Sequence, residues 1–547
     1  MRMPKLELSL SLNSTLVRRI QAAAIVWAEP ILFLVLTLLS AWLFTYFLNI
    51  NLGLAYNDAR SHLDIGRRVV EGLKPGLAQL GSVWLPLPHL LMVPTIWNDF
   101  FWHTGLSGAI QSMAAFVLTS IVIFRTLKVL GYGVGSRIFA VAVFVLNMNV
   151  LYLQSTAMTE LLLLGTMTTA VYELLKWHKT RSMIYLVKTA FWIMLATLVR
   201  YDGWFLFIWT IGLVGLQGFQ QENWKFWQGL RKAEGLAIFY CTLAGLGIIL
   251  WVLWNYLIFG DPLFFIFGPY SAHAQQSQLE TAGVLISKHD IFVSLKTYWY
   301  AMIYNIGIVP VLLGLFGAIS FFLAKNQKLE IKLAMTALLA PLAFNIVALF
   351  LGHSVLFVQG INGDTWFNVR YGIMMIPSVA VFSGILFARA KQFRVPIVVA
   401  FIFFSIFHIG GWDAVTIDDG RVGSSQKNVS QVSGWLKNNV TNEEGFVLIS
   451  AASHDAIIFS SGLPMVRFIH EGTGTYWDSA TTTPDRWAKW IVMRTNDTND
   501  STFRLLQQTP WQEYYQLVDS YPFADIYELK PEYWDQLNTE ATLPKQR

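Results

Sequence analysis

Runs of about 17 to 25 apolar residues follow one another along most of this chain. At about 1.5 Å rise per residue, a helix of that length crosses a hydrocarbon layer of about 30 Å. No single water-soluble core absorbs so many such runs, and the pattern imposes a polytopic α-helical membrane protein. The runs lie near 29–51, 106–127, 137–153, 161–177, 183–199, 203–219, 235–258, 298–324, 333–351, 371–390 and 395–410, which predicts about eleven transmembrane helices. The composition agrees, with 54% hydrophobic and only 13% charged residues, where soluble proteins carry about 25% charged.

Alternate connections are basic: Arg18 and Arg19; Arg125, Lys128 and Arg137; Lys176, Lys179 and Arg181; Lys225, Arg231 and Lys232; Lys325, Lys328 and Lys332; Arg389, Lys391 and Arg394. Lysine and arginine mark the cytoplasmic side, so the amino terminus is expected inside and, after an odd number of crossings, the carboxyl terminus outside. The net charge of +5 follows from that bias and does not point to a nucleic-acid partner. Cys241 is the one cysteine, which excludes an intramolecular disulfide and a cysteine-rich metal site. The start MRMPKLELSLSLNSTLVRRI lacks a secretory cleavage pattern, so the first membrane helix is expected to stay attached.

The chain divides into a membrane part, 1–410, and a water-soluble α/β part, 411–547, on the outer face. Two outer connections, about 52–105 and 259–297, are long and rich in aromatic residues, proline and glycine. Within the first, WLPLPHLLMVPTIWNDFFWH (84–103) is broken by Pro86, Pro88 and Pro94 and reads as interfacial. Beyond residue 411 a polar linker, GRVGSSQKNVS, precedes a helical pattern in VSQVSGWLKNNV and buried-strand patterns in GFVLISAA and AKWIVMR. N-x-S/T sequons fall at Asn428, Asn439, Asn496 and Asn499.

An ionisable side chain at a bilayer centre costs about 2.5 to 3.5 kcal/mol on insertion scales, and the centres of these runs are almost free of charge. Glu173 and Lys188 lie toward cytoplasmic ends, whereas Asp58, Asp64, Glu160, Arg200, Asp202 and Arg370 all map to outer ends or outer connections. In YNDARSHLDIG (56–66) a helix starting near Asn57 places Asp58 and His62 on one face. It permits i,i+4 pairs of Asp64 with Arg60 and Arg68, and leaves an apolar stripe of Leu63, Gly66, Val70 and Leu73. The same residues also read as a helix cap at Asn57 or Asp58 with solvated charges behind it. Glu160 suits the positive end of its helix. Arg200 has Asp202 as a neighbouring partner. Arg370 opens a span at its amino end, where a cation opposes the helix dipole, and so demands an anion, either a protein carboxylate or a lipid phosphate. His89 sits among prolines, and GDPLFFIFGPYSAHAQQ (260–276) ends in His273, Gln275 and Gln276; it reads equally as a sugar-binding cover and as an interfacial segment.

An aspartate just after the first span, a second-loop carboxylate, interfacial helices, an Arg-Tyr pair opening a late span and an outer carboxyl-terminal domain together resemble the GT-C glycosyltransferases. The protein O-mannosyltransferases and the bacterial aminoarabinose transferases of lipid A are the closest in pattern. DARSHLDIGR (58–67) fits their frame with Asp58 at the first acidic position, Asp64 at the later one and Arg67 at the basic one, while Ala59 stands where they carry a second acid. The resemblance implies an integral protein, of a prokaryotic cell membrane, that takes a sugar from a polyprenyl-phosphate donor. The acceptor would be a hydroxyl on a lipid, glycan or protein. It implies Asp58 as general base with inversion, Arg200 and Arg370 on the donor phosphate, and His62, Asp64, His89, Glu160, Tyr371 and Gln276 as orienting groups. No cofactor is expected, and a divalent metal, for which Asp58, Asp64 and Glu160 supply oxygens, is not expected either. The alternative class is a secondary transporter of a small anionic or sugar solute, which binds near the midplane between interrupted helices.

Overall fold

A computed structural model describes residues 14–268, 271–281, 283–411, 413–422, 429–440 and 443–539, with side chains for all of these except 14–25, 272, 275 and 278. The sequon at Asn428 and the side chains of Arg18, Arg19 and Gln275 therefore lie outside the described residues. The chain is mostly helical, and among the described residues six helices are long and apolar enough to cross a membrane, or eight if two bent pairs each count as one span. The expected count of about eleven included runs that fall short of this. The run at 137–153 is two short helices, Val134–Val145 and Met148–Leu153. Met183–Thr197 has only 15 residues. Glu160–Thr180 is a full-length helix, but threonines and the charges of Glu160, Glu173, Lys176 and Lys179 interrupt its apolarity. Its neighbours Leu106–Val129 and Met183–Thr197 enclose it, so the polar residues along its length, Glu160 to Glu173, meet protein, while Lys179 at its end stays exposed.

Close helix approach rests on small residues, as in other membrane bundles where lipid supplies no hydrophobic drive between helices. A Cβ added at Gly317 would collide with the Phe382 carbonyl, and one at Gly108 with Ala157. The helices Ile308–Leu323 and Ile376–Arg389 meet at the first of these points.

The run expected as one span at 298–324 is instead two helices, Ile291–Ile306 and Ile308–Leu323, bent by 112°. The bend turns on Gly307, whose φ of +91° suits a residue without a Cβ. Breaking a helix strips its last carbonyls of their N–H partners. Here Asn147 and Asn149 replace them, each donating its side-chain amide to the Asn305 carbonyl at 2.8 and 2.9 Å. The repair also fixes two other segments. Asn305 donates to the Val369 carbonyl at 2.7 Å, at the start of the turn Val369–Met375. The Asn149 amide oxygen accepts from the Thr416 backbone N–H and hydroxyl at 2.9 and 2.8 Å, at the start of the helix Val415–Val422.

Beyond the last long apolar helix, Arg394–Gly410, the helix Val415–Val422 folds back with Val415, Ile417 and Asp419 buried. The polar composition after residue 411 thus does not mark departure from the helical part. A five-stranded sheet follows, with β1 (Phe446–Ile449), β2 (Phe468–Ile469), β3 (Ala488–Met493), β4 (Tyr515–Ser520) and β5 (Asp525–Leu529) in the order β2-β1-β3-β5-β4. β1 is parallel to β2 and β3, while β5 runs antiparallel to β3 and β4. The strand patterns of GFVLISAA and AKWIVMR and the helix Val429–Asn439 stand where the sequence places them.

The helix Asn57–Val70 is not a surface helix. Eight of its residues, among them His62, Asp64, Arg67 and Arg68, are buried, because Leu87–Ile96 covers one side and Ala451–Ser461 the other. Arg68 spans that second contact with paired bonds of 3.0 and 3.2 Å to the Asp455 carboxylate. Arg67 bonds Glu71, the Ile96 carbonyl at 2.8 Å and Asp99 at 2.7 Å. Glu71 in turn accepts from the Met465 backbone N–H at 3.0 Å.

Substituting Asn149→Ala leaves the Thr416 donors and part of the Asn305 carbonyl without partners in a buried site, at about 1–3 kcal/mol per orphaned group. A lower melting temperature of the detergent-solubilised chain is the expected result, measured against an Asn439→Ala control on an exposed helix surface.

Candidate active site

Four segments distant in sequence deliver their charges to one place. The helix start at Asn57 brings Asp58, the first turn of Glu160–Thr180 brings Glu160, the junction before Asp202–Gln221 brings Arg200 and Asp202, and the turn Val369–Met375 brings Arg370. Glu160 is fully buried, and one carboxylate oxygen, Oε1, accepts from Arg370 Nε at 3.0 Å and from Arg200 Nη1 at 3.2 Å. Arg370 Nη2 donates to Asp58 Oδ2 at 2.5 Å, and Arg370 Nη1 lies 3.6 Å from Asp419 Oδ2. Arg200 Nε reaches Asp202 at 3.4 Å and its Nη1 reaches the Thr159 hydroxyl at 3.3 Å.

Protein carboxylates, Asp58, Glu160 and Asp419, meet the demand of Arg370 for an anion. Arg200, expected to pair with Asp202, also takes Glu160. The N-cap of the helix at Asn57 is Tyr56, with no side-chain cap bond, so Asp58 is not a capping residue. Its carboxylate, 39% exposed, is the open acid of the cluster. Glu160 Oε2 is buried and accepts no hydrogen bond from the described residues, whereas the side chain of Arg200 is 19% exposed and its Nη2, with two hydrogens, donates to none of them.

Aromatic rings line the guanidiniums. Tyr371 lies 4.8 Å from Arg200 and 5.5 Å from Arg370, centroid to guanidinium carbon, and Tyr56 lies 5.0 Å from Arg370 on another side. Tyr56 donates its hydroxyl to Asp419 at 3.1 Å. Burial raises the Tyr56 phenol well above its ordinary range, so it stays a donor.

His62 and His89 join the cluster as a pair, His62 Nδ1 to His89 Nε2 at 2.9 Å, with the Trp84 ring 4.3 Å from the His62 ring. Burial, and then the charges of Arg200 and Arg370, lower His62 to about 3. The pair is neutral and shares one proton between its facing nitrogens. The segment that carries Trp84 is tied to the LVRYDGW stretch: Leu87 N–H bonds the Leu198 carbonyl at 3.0 Å and the Tyr201 hydroxyl bonds the Val83 carbonyl at 3.2 Å.

One expected site residue lies elsewhere. Asp64 pairs with neither Arg60 nor Arg68. Arg60 bonds the Leu54 carbonyl at 2.9 Å and Arg68 bonds Asp455, while Asp64 accepts from Trp102 Nε1 at 3.2 Å at the contact with Ala451–Ser461. Burial first, and then the Asp455 charge, raise Asp64 well above the carboxylate range, and burial raises Asp455 to about 6. Asp58, Asp64 and Glu160 thus do not converge as three metal ligands. Gln276 is buried on the helix Ala272–Thr281 and makes no hydrogen bond to the cluster among the described residues.

Sequence reasoning missed Asp419, Tyr56 and Trp84. Asp419 had one usable signal, an acid two turns beyond the last apolar run that matches the anion Arg370 requires.

No protein-family model and no curated protein matches the chain. Among solved structures, ArnT from Cupriavidus metallidurans bound to undecaprenyl phosphate is similar over 90% of this chain and 98% of its own, at a TM-score of 0.54 and 11% identity. ArnT in the apo state gives 0.41 at 14% identity over 93% and 99%. The archaeal oligosaccharyltransferase AglB from Archaeoglobus fulgidus, in complex with an inhibitory peptide and a dolichol-phosphate, gives 0.46 at 11% over 86% and 69%. The likeness to the first shows that this chain shares the fold of ArnT.

Replacing Glu160 by Gln removes the anion shared by two buried guanidiniums, and breaking a buried ion pair costs about 3–5 kcal/mol. Its melting temperature is expected to fall clearly further than that of Asp58→Asn, whose carboxylate is partly exposed. Acid should destabilise the fold through His62. The unfolded imidazole binds a proton below about 6.5 and the buried one does not, so stability falls with pH from 6.5 downward by at most about 1.4 kcal/mol per unit. The His62→Asn variant is expected to show a shallower fall in melting temperature between pH 6.5 and 5.

Proposed function

We propose that this chain is a membrane glycosyltransferase that moves a sugar from a polyprenyl-phosphate donor to an acceptor hydroxyl at the outer face of a prokaryotic cell membrane, with inversion. One observation carries the reading. On the fold shared with ArnT, four segments of chain converge to give a partly exposed carboxylate beside two arginines and a neutral histidine pair. That ArnT is seen with undecaprenyl phosphate supports a donor of the same class, its tail in lipid and its phosphate at the surface.

Asp58 is the general base. It removes the acceptor proton as the acceptor oxygen attacks the anomeric carbon. The bond from that carbon to the phosphate oxygen breaks, and its electron pair leaves with the polyprenyl phosphate. Arg200, with Nη2 uncommitted, holds the phosphate and meets its growing charge. Arg370 holds Asp58 in the resting chain. A donor phosphate that competes for Arg370 frees Asp58 as a base, so that base strength rises when the donor arrives. His62, His89 and Tyr371 orient the sugar, and Glu160 helps through the two arginines that it holds in place. Gln276 belongs to a connection that covers the site. The reaction as written uses no metal, and Asp64, one of the three oxygens a metal would need, faces Trp102.

The segment 411–547 lies on the same side as the site, as the ion pair of Asp455 with Arg68 on the helix carrying Asp58 supports, and would meet the acceptor, be it lipid, glycan or protein. The sharp bend at Gly307 is shared with secondary transporters of small anionic or sugar solutes, but the charges it positions belong to the cluster with Asp58.

The purified chain, reconstituted with a panel of polyprenyl-phosphate sugars, is expected to consume one of them. Asp58→Asn should lower the rate by about 10²–10⁴-fold and Arg200→Gln by about 10²–10³-fold, with folding intact by melting temperature. Undiminished transfer by Asp58→Asn refutes the base assignment, and solute flux without donor consumption refutes the enzyme.

A further inference from the structure

A second charged site lies at the opposite end of the helix that carries Glu160. Nineteen positions separate Glu160 from Lys179 on Glu160–Thr180, a rise of about 28 Å, close to the thickness of a hydrocarbon layer. There a cavity of about 550 Å³ opens between the first helix and the ends of Leu106–Val129 and Glu160–Thr180, lined by Glu29, Arg125, Lys128, Tyr172, Lys176 and Lys179.

Two of the four cations are compensated. Arg125 bonds Glu29 through Nε at 2.7 Å. Lys176 pairs with Glu173 at 3.3 Å and rests over the Tyr185 and Tyr172 rings at 3.9 and 5.0 Å. The other two are not compensated. Lys179 gives one hydrogen to the Val129 carbonyl at 2.5 Å and retains two. Lys128 is exposed and contacts no acceptor among the described residues. Orientation of a membrane protein calls for positive charge in a connection; it does not call for two unpaired ammoniums on the wall of a cavity.

The surroundings identify the class of ligand. Val26, Trp27, Ile31 and Leu34, on the first helix beside Glu29, are exposed apolar side chains. A molecule with a phosphate in the cavity can lay its acyl chains along them, with Trp27 at headgroup level. Basic pockets between helices on the side rich in lysine take anionic lipid headgroups. We infer that this cavity binds the phosphate headgroup of an anionic glycerophospholipid of the leaflet opposite the carboxylate cluster, held by Lys128 and Lys179.

The test uses the full chain in a neutral detergent with phosphatidylglycerol or phosphatidylcholine added, counting retained lipids by native mass spectrometry. Wild type is expected to retain phosphatidylglycerol in preference to phosphatidylcholine. The Lys128→Gln/Lys179→Gln variant should lose that preference by about tenfold, and Lys128→Gln alone should lose part of it with an unchanged melting temperature. Lys325→Gln/Lys328→Gln, two lysines on the same side but outside the cavity, should keep it. An unchanged preference in the double variant overturns the proposal, as does an equal loss in the control. Displacement of phosphatidylglycerol by millimolar inorganic phosphate overturns the lipid in favour of a free anion.

Discussion

One buried carboxylate oxygen organises this molecule. Glu160 Oε1 receives hydrogen bonds from two arginines that lie 40 and 210 residues away in sequence. Glu160 is the one carboxylate among the described residues that pairs with both, Arg200 having Asp202 besides and Arg370 having Asp58 and Asp419, and removing one partner of a buried ion pair costs several kcal/mol. Placing the acid in the first turn of its helix adds the favourable end of the helix dipole, and Arg370, which opens its own span where a cation is disfavoured, takes the benefit. The pairing therefore holds three helical elements in register and leaves Asp58, attached through Arg370, as the group with access to solvent. Asp58 is thus held by Arg370 while its carboxylate stays 39% exposed.

The same logic of repair recurs at Gly307. The 112° bend frees carbonyls that hydrocarbon cannot satisfy. Asn149, one of the two asparagines that satisfy them, also grips the helix before Asp419, and Asn305, whose carbonyl they take, grips the turn before Arg370 through its side-chain amide. A defect in one helix thus becomes the anchor for two members of the charge cluster. On the other flank, Arg68 with Asp455 and Glu71 with the Met465 amide tie the sheet-bearing segment to the helix that carries Asp58. Motion of that segment and the placing of Asp58 are mechanically connected.

Much of this is legible in the sequence because the residues break local rules. Charges gathered at one end of apolar runs, and an arginine at the wrong end of a helix, mark Asp58, Glu160, Arg200 and Arg370 by pattern alone. The rest is hidden for physical reasons. Asp419 sits in a polar stretch whose composition reads as a linker, and only the fold returns it to the cluster. The burial of Asn57–Val70 depends on a helix that follows some 390 residues later, so its charges look solvated and Asp64 looks like part of the site when it belongs to a packing contact. The bend at 307 leaves the apolar run unbroken, since hydropathy is blind to φ. The helix Glu160–Thr180 shows the converse error, because enclosure by other helices removes the need for apolarity that a count of spans assumes.

That enclosure bears on how a lipid-linked donor and a polar acceptor reach one site. Arg200 is 19% exposed and Arg370 only 7%, while the neutral histidine pair and Trp84 border them on the side of the proline-broken segment 84–103. In the proposed reaction a phosphate with a long apolar tail would approach from lipid along that segment, which is tied to the stretch carrying Arg200 through Leu87 and Val83. In the proposed reaction the acceptor would come to the exposed side of the Asp58 carboxylate. Two approaches separated in this way leave Arg370 as the only group that touches both, bonded to Asp58 on one side and to the oxygen shared with Arg200 on the other. A change in what Arg370 binds is then felt at the base without any larger movement of the helices, which the close glycine contacts between them resist.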